Sequence, residues 1–270
     1  MNIGIIGYGS MGKMLAQKFL ESGRVNKNIL FVSNRTKERM QEIADKATVC
    51  DSNSEAAEKS DILFVCVRPC DIRGVVTEIN GSLKKDSLLV SLNGNITFEM
   101  LEKIAVRKIA KVIPSVTAEI NRSQTLVCWN SLVLDSDKEN LRNLLECMGE
   151  VIDLPENEMG MGSELVSCMP GLIASMFDVV CQAAEKHTSI PKEQITRMVL
   201  KTVSATADLM EQKQMSFQDV VSRVATKGGI TEEGSKVIYD MFPKTAEEMF
   251  VKTLEKRRLT AEKAKESFQA

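Results

Sequence analysis

Residues 2–12 read Asn-Ile-Gly-Ile-Ile-Gly-Tyr-Gly-Ser-Met-Gly, a short apolar strand that runs directly into a Gly-x-Gly-x-x-Gly turn. In such a unit, Gly7 permits a tight turn, Gly9 lets backbone N–H groups approach a pyrophosphate, and Gly12 lets the next helix lie close to the strand. Residues 13–20 have a helical pattern, so the N-terminus of this helix would face the phosphates. The stretch therefore predicts a dinucleotide-binding turn made by Gly7, Tyr8, Gly9, Ser10, Met11 and Gly12.

The end of the second predicted strand, residues 28–33, indicates which dinucleotide the turn suits. An NAD-binding fold usually places Asp or Glu here, about 20 residues past the glycines, to bind the ribose 2′-hydroxyl. This chain has Asn34, Arg35 and Thr36 instead. A guanidinium group binds phosphate oxygens in a fork, so Arg35 suits a 2′-phosphate. The sequence predicts NADP(H) as the preferred cofactor and NAD(H) as the second choice.

Apolar strands and helices alternate through the first 155 residues. Strands that are almost wholly apolar are typical of a parallel sheet covered by helices on both faces, and ligands bind beyond the carboxyl ends of its strands. We therefore expect an α/β domain at 1–155, a Rossmann-type doubly wound and mostly parallel sheet. Further cofactor contacts are expected where later strands end, at Val67, Arg68, Pro69, Asn93 and Gly94. The predicted strands are 28–33, 61–67, 87–92, 109–112, 125–134 and 150–154, and the predicted helices are 36–46, 71–80 and 137–148.

Strand patterns stop at residue 156, and long helical runs follow. The segment 171–184 carries apolar residues on nearly every side, and the segment 195–210 has only scattered charge. Helices without a clear solvent face must be enclosed. We predict an all-helical substrate and dimerisation domain at 156–270, whose helices pack against or exchange with a partner subunit in a homodimer, with further assembly left open. The alternative is that the chain's own last helix and first domain cover them. The predicted helices are 157–167, 171–187, 191–213 and 244–265.

Composition narrows the functional classes. The net charge is -2 and 27% of the residues are charged, with no basic stripe, so we expect no nucleic-acid partner. The sequence shows neither a run of about 18 to 20 consecutive apolar residues nor the pattern of a signal peptide. We therefore expect no membrane association and a cytoplasmic protein.

Cysteine and histidine residues predict no metal site. The seven cysteines lie mostly in apolar segments and are interpreted as reduced core thiols. Cys66 and Cys70 are four residues apart, yet no second pair or histidine completes a zinc site. The one histidine, His187, ends a predicted helix, where interaction with the helix dipole is expected rather than catalysis.

Four motifs resemble the pyrroline-5-carboxylate reductase family, and the similarity extends over nearly the whole chain. The glycine turn followed by Met11 is similar to the family's opening. Residues 33–36, Ser-Asn-Arg-Thr, resemble its cofactor turn, and residues 67–69, Val-Arg-Pro, resemble its Val-Lys-Pro. Residues 225–231, Ala-Thr-Lys-Gly-Gly-Ile-Thr, resemble its Ser-Pro-Gly-Gly-Thr-Thr loop. Asn53 matches a family asparagine near the cofactor adenosine.

This resemblance implies an NAD(P)H-dependent oxidoreductase that reduces a cyclic imine carboxylate, in the known case pyrroline-5-carboxylate to proline in amino-acid biosynthesis. Such an imine is readily protonated, so hydride from nicotinamide C4 adds without a strong protein acid. Gly228 and Gly229 would form a backbone nest for the substrate carboxylate, with Lys227 beside it. Thr231 would place its hydroxyl near the imine nitrogen as the catalytic residue. Alternatively, the two glycines only end one helix and begin the next.

Departures from the family pattern concern the substrate side. Residues 113–117 read Ile-Pro-Ser-Val-Thr where the family has Met-Pro-Asn-Thr-Pro, and residues 166–171 read Val-Ser-Cys-Met-Pro-Gly in place of Ser-Gly-Ser-Gly-Pro-Ala. Lys227 replaces the proline before Gly-Gly. Two other functions stay open: a non-catalytic NADP-binding regulatory protein, and an NADP-dependent reductase of another small substrate. Among the latter, a deazaflavin-linked reductase is open, whereas hydroxyacid dehydrogenases need an early lysine that residues 156–182 lack.

Overall fold

Eight strands form one sheet in a computed structural model of the chain, which describes residues 1–269. The order across the sheet is β3-β2-β1-β4-β5-β6-β7-β8, where the strands, numbered along the chain, are Ile3–Ile6, Leu30–Ser33, Thr48–Val49, Ile62–Val65, Leu88–Ser91, Ile109–Ile113, Ser123–Trp129 and Gly149–Asp153. All neighbouring pairs are parallel except β6 and β7. The predicted mostly parallel Rossmann-type sheet is confirmed.

Ten α-helices accompany the sheet among the described residues. They are numbered α1 to α10 along the chain and comprise Ser10–Glu21, Asn53–Lys59, Ile72–Ile79, Phe98–Glu102, Asp135–Leu145, Met159–Ser163, Met169–Glu185, Lys192–Lys213, Phe217–Val224 and Ile230–Gln269. A π-helical turn, Glu164–Cys168, joins α6 to α7.

Two apolar clusters lie on the two faces of the sheet. Every residue of β1, β2, β4, β5 and β6 is buried, as in a sheet covered on both sides. Because side chains alternate along a strand, Ile5 packs with Leu15 and Phe19 of α1, whereas Ile6 packs with Ile72 and other residues of α3. The carboxyl ends of the central strands are therefore held rigidly.

Several elements differ from the sequence-based expectation. The predicted helix 36–46 is wrong in type and is a 3₁₀ helix at Lys37–Ile43. The predicted strand 125–134 runs instead from Ser123 to Trp129, because the Asn130 side chain bonds the backbone of Ile109 and Arg107 and turns the chain. The last helix begins at Ile230 rather than 244 and continues through Pro243, which removes one hydrogen bond without ending it.

By compactness the chain divides into two units, residues 1–170 with 254–270, and residues 171–253. Its predicted domain boundary after residue 155 stays a prediction. Within the second unit, the helices have little interior. The only buried residue of α7 is Cys181, that of α8 is Ile195, and α9 has none. The second unit by itself therefore does not enclose these helices.

One helical run among the described residues, Glu156–Glu185, is long and apolar enough to cross a membrane by length and composition alone. Little of it is buried within the single chain. The run is not uniformly apolar in its contacts, since the carboxylate of Glu164 is buried against Arg257. Length and composition therefore do not assign this run to a membrane.

The cysteine interpretation needs one correction. All seven thiols are free, and Cys50, Cys128 and Cys181 are buried as expected of core residues. Cys70 is exposed and is not a core thiol. It lies at the carboxyl end of β4, beside the cofactor groove described next.

Candidate cofactor site

The glycine turn has the geometry that its sequence predicts. Gly7 has a φ of +95°, and a methyl group there would lie 2.9 Å from the Cys66 carbonyl oxygen. A methyl group at Gly12 would overlap the Gly7 carbonyl oxygen, so only glycine allows α1 to lie this close to the turn. Space beside Gly9 is open for 4 Å, and no side chain caps the start of α1. An anionic group can therefore approach the helix N-terminus.

A groove runs along the carboxyl ends of β1, β2 and β4. Eight of the predicted cofactor residues line it: Gly7, Gly9, Asn34, Arg35, Thr36, Asn53, Val67 and Arg68. The lining residues that sequence reasoning missed include Lys37, Arg39, Ser52, Cys66, Asp71, Gly74, Val75 and Glu78. Five of the missed residues come from the 3₁₀ helix Lys37–Ile43 and from α3, because the sequence did not indicate which faces of these helices turn toward the groove.

The other predicted cofactor residues do not line this groove. Tyr8 is 3% exposed, and burial raises the pKa of its hydroxyl to about 12. Its backbone N–H donates to Asn34 Oδ1 at 2.9 Å. Asn93 donates from its side chain to the Val67 carbonyl at 2.9 Å, so it supports the groove wall from behind. Also outside the groove lining are Ser10, Met11, Gly12, Pro69 and Gly94.

Two asparagines hold the groove loops together. Asn34 accepts from Tyr8 and donates to the Thr36 carbonyl at 2.9 Å, which joins the glycine turn to the loop after β2. Asn53 accepts from Ser33 and donates to Glu78. Both side-chain amides therefore form hydrogen bonds within the protein, and these bonds position the loops of the groove.

Basic residues gather at the end of β2. The Lys37 ammonium donates two hydrogen bonds to Asp51, one to the side-chain carboxylate at 3.0 Å and one to the backbone carbonyl at 2.9 Å. The exposed guanidinium groups of Arg35 and Arg39 have no hydrogen-bond or ion-pair partner among the described residues. Two unpaired guanidinium groups on one groove favour a phosphate ligand, because each binds two oxygens in a fork. The sequence signal for Lys37 and Arg39 was their position one and three residues after the cofactor turn at residues 33–36.

Cys66 and Arg68 also line the groove, and the first is neutral whereas the second is charged. Burial raises the pKa of Cys66 well above its usual range, so its thiol stays neutral. Arg68 is exposed and donates to Asp71 at 3.0 Å, and this hydrogen bond raises the pKa of its guanidinium further. The Arg68 guanidinium is therefore paired with the Asp71 carboxylate, whereas the Arg35 guanidinium has no such partner among the described residues.

Two partly buried ion pairs lie near the loop that follows β5, and the sequence did not reveal them. Lys111, 1% exposed, bonds Glu156 at 3.0 Å and the Gly94 carbonyl at 3.3 Å. Arg257 bonds the buried Glu164 at 2.8 Å. The second carboxylate oxygen of Glu164 has no partner among the described residues. These pairs join segments that are far apart in sequence.

The predicted substrate loop belongs to the second unit. Gly228 has a φ of +72°, and its N–H donates to the Glu232 carboxylate at 2.7 Å. The Gly229 N–H donates to the Thr226 carbonyl at 2.8 Å. Thr231 is exposed in the first turn of α10, and Lys227 is exposed in the loop. Glu232 thus acts as the loop's own cap, which favours the interpretation of Gly228-Gly229 as a helix start.

Side-chain clusters suited to a metal ion are absent from the part of the chain that the structure describes. The parallel sheet, the glycine turn and the groove at the strand ends define a dinucleotide-binding protein of the Rossmann class.

Comparisons with known proteins agree with this class. Residues 2–95 match the family described as NADP oxidoreductase coenzyme F420-dependent, and residues 156–260 match pyrroline-5-carboxylate reductase dimerisation. Pyrroline-5-carboxylate reductase 3 of Bacillus subtilis is 32% identical over 263 residues, 96% of this chain and 97% of that protein. ComE operon protein 4 of the same organism is 27% identical over 249 residues, 90% of this chain and 91% of that protein.

The fold is also that of a solved structure. The crystal structure of Plasmodium falciparum pyrroline carboxylate reductase with NADP bound superposes with a TM-score of 0.84 at 22% identity, over 99% of this chain and 98% of that one. The chain belongs to the pyrroline-5-carboxylate reductase family. It is an NAD(P)H-dependent oxidoreductase with a helical dimerisation domain.

Proposed function

We propose that the protein uses NADPH to reduce a cyclic imine carboxylate, most directly pyrroline-5-carboxylate to proline, in cytoplasmic proline biosynthesis. The observation that carries the proposal is the open glycine turn at the start of α1, with the unpaired Arg35 on the same groove. The full-length likeness to a pyrroline-5-carboxylate reductase supports the substrate class.

The residues present fit a dinucleotide. Space beside Gly9 admits a diphosphate to the N-terminus of α1, where a side chain would block it. Arg35 and Arg39 would hold a 2′-phosphate, and Val67 would contact the cofactor where β4 ends. When bound, the nicotinamide supplies a hydride. NADP(H) is the preferred cofactor in this proposal, and NAD(H) is the weaker one.

On the substrate side, the proposal rests on the family resemblance. Gly228, Gly229 and Lys227 would bind the substrate carboxylate, and Thr231 would place its hydroxyl at the imine nitrogen. Since Gly228 donates to Glu232, the substrate carboxylate would take the place of this side chain. An imine that is already protonated needs orientation and exclusion of water more than an acid, which a hydroxyl and two N–H groups provide.

The functional protein in this proposal is a homodimer assembled through residues 156–270. The dimerisation family matches from residue 156, which also supports a domain boundary after residue 155. Apolar side chains exposed on the single chain, such as Val179 at 64% and Leu200 at 59%, would then be covered by the partner.

The decisive experiment combines cofactor titration with turnover. The purified protein is titrated with NADPH and NADH, and NADPH oxidation is then followed with pyrroline-5-carboxylate and a panel of cyclic imine carboxylates. Arg35→Ala is expected to weaken NADPH about tenfold to a hundredfold and to affect NADH little. The exposed Arg24, which is not a groove residue, supplies the control Arg24→Ala.

Each outcome has a distinct meaning. Equal weakening of both nucleotides by Arg35→Ala would remove the basis for NADP preference. If the protein bound the cofactor but oxidised NADPH with none of the imines, this result would contradict the reductase activity. It would favour the non-catalytic NADP-binding alternative. This second candidate, a non-catalytic NADP-binding protein, is supported by the similarity to ComE operon protein 4, because that relative's name specifies no reductase.

A further inference from the structure

A chain of hydrogen bonds crosses the wall of the cofactor groove from β2 to α3. Ser33 Oγ donates to Asn53 Oδ1 at 2.9 Å, and Asn53 Nδ2 donates to Glu78 Oε2 at 2.9 Å. Ser33 is only 3% exposed, so the chain is anchored in the interior. The amide of Asn53 is held at both ends, and the Glu78 carboxylate is held at the groove. Among the described residues, Glu78 Oε1 has no hydrogen-bond partner, so it can accept a further hydrogen bond.

Helix α3 also places Gly74 in the groove lining, near this carboxylate. Its Ile72, Val76 and Ile79 are buried in the core, which turns Gly74 and Glu78 toward the groove. These two residues are four apart and therefore neighbours on one face of the helix. The space over Gly74 is open for 4 Å. A planar ring can lie over Gly74 with its edge at Glu78.

An ionised carboxylate only accepts hydrogen bonds, so it selects ring systems that carry a donor at the facing edge. Adenine presents an amino group at position 6, whereas a 6-oxo purine presents an acceptor oxygen there. A carboxylate facing that position attracts the first base and repels the second. Arg35 and Arg39, which would hold the 2′-phosphate in the proposed site, line the same groove from the segment after β2.

The geometry points to Glu78 as the residue that recognises the adenine base of the cofactor, by accepting a hydrogen bond from its 6-amino group. Asn53 acts as a positioning residue, because it holds the carboxylate from the other side. The assignment rests on the proposed dinucleotide site and adds to it the base specificity and the residue responsible.

A matched pair of nucleotides tests the assignment. NADPH and its deaminated analogue, reduced nicotinamide hypoxanthine dinucleotide phosphate, differ at position 6, which carries an amino or an oxo group, and at the adjacent N1, which carries a hydrogen only in the analogue. Fluorescence titration of the full-length protein should show NADPH binding about tenfold more tightly, the effect of one hydrogen bond to a charged group against repulsion. The measured quantity is the ratio of the two Kd values.

Substitution of the carboxylate should change that ratio in a defined direction. In Glu78→Gln, the side-chain oxygen can still accept from Asn53, which leaves the amide NH₂ toward the base. We expect the preference to be lost or reversed, because an N–H donor suits the 6-oxo group. Glu78→Ala removes both interactions and should bring the ratio close to one. Glu78 is exposed, so neither change threatens the core.

The control removes the same charge elsewhere in the first unit. Glu38 is exposed on the 3₁₀ helix and is not a lining residue of the groove, so Glu38→Gln should leave the ratio unchanged. A ratio unchanged in Glu78→Gln would overturn the assignment. A second result would also overturn it: if Glu78→Gln weakened the binding of NADH alone, the carboxylate would lie against the ribose hydroxyls and not against the base. Failure of the unmodified protein to bind either nucleotide would refute the proposed cofactor site itself.

Discussion

The two units of this chain use apolar residues in opposite ways. In the first unit, every residue of the four central strands is buried, and two apolar clusters close around the sheet. In the second unit, Val179, Met198 and Leu200 are more than half exposed, and Ile238 and Met241 are 60% and 68% exposed. Both units contain many apolar residues, but only the first unit buries most of them. In the second unit, α7 and α8 bury one residue each, Cys181 and Ile195, and α9 buries none.

The difference shows what each unit needs in order to be stable. A sheet covered on both faces removes its apolar surface from water within one chain. Large exposed apolar patches on a helical unit are typical of an interface, and covering each side chain contributes about 1 to 2 kcal/mol. The second unit therefore needs a second polypeptide, and a further copy of this chain is the expected one.

The largest effect is expected from a charge on the exposed apolar surface of α7. Val179→Asp would be harmless on an isolated helix but would bury an uncompensated charge in a dimer interface, at a cost of at least about 3 kcal/mol. Light scattering coupled to size exclusion should show loss of the dimer. Gln212→Asp, at an exposed polar position of α8, is the control and should remain dimeric. A dimer that tolerates Val179→Asp would show that α7 is not at the interface.

A smaller but local effect is expected in the first unit. Gly12→Ala places a methyl group against the Gly7 carbonyl, so α1 must move away from the turn. We expect the free energy of unfolding to fall by about 1 to 3 kcal/mol, as in other overpacked interiors. The dinucleotide affinity should fall as well. Denaturant unfolding and cofactor titration measure the two effects.

Gly81→Ala supplies the matched control for that substitution. No atom lies within 4 Å of a methyl group at Gly81, so stability should change by less than about 1 kcal/mol. Equal destabilisation by the two alanines would mean that the close approach at Gly12 is not what limits this position.

The smallest effect uses two buried thiols, one in each unit. Cys128 lies in the sheet, where burial raises its pKa to about 11, and Cys181 is the buried residue of α7. Alkylation in rising denaturant should reach Cys181 first. Its midpoint should rise with protein concentration, since association contributes about 1.4 kcal/mol per tenfold. Cys128 should show a midpoint independent of concentration, and a shared dependence would mean that both units unfold together.

Much of the first unit could be predicted because its signals are local. The strand at residues 3–6, the glycine turn and α1 follow one another without interruption, and glycine is required where a methyl group would overlap the backbone. The antiparallel direction of β7 could not be predicted, because residue patterns report burial and not strand direction. Helix α9 begins with a capping box of Ser216 and Asp219, and the apolar pattern alone did not predict this helix.

The candidate site could be predicted only where it follows the strands. Arg35 and Val67 stand directly after apolar strands, and both line the groove. Arg39 and Glu78 were missed, because their inward placement depends on the 3₁₀ helix and on how α3 is rotated against the sheet. The predicted contacts at Pro69 and Gly94 lie outside the groove lining, since position after a strand does not specify direction.

By itself, the sequence determined that an apolar strand meets a glycine turn and a helix, that strands and helices alternate, and that the second half is helical and needs covering. These properties are local, because they depend on the residue types at neighbouring positions. Only the tertiary structure decided which distant side chains meet: Asn53 with Glu78, Lys111 with Glu156, and Glu164 with Arg257, which are 93 residues apart. Such pairs depend on how elements pack, and packing brings together residues whose separation along the chain carries no signal.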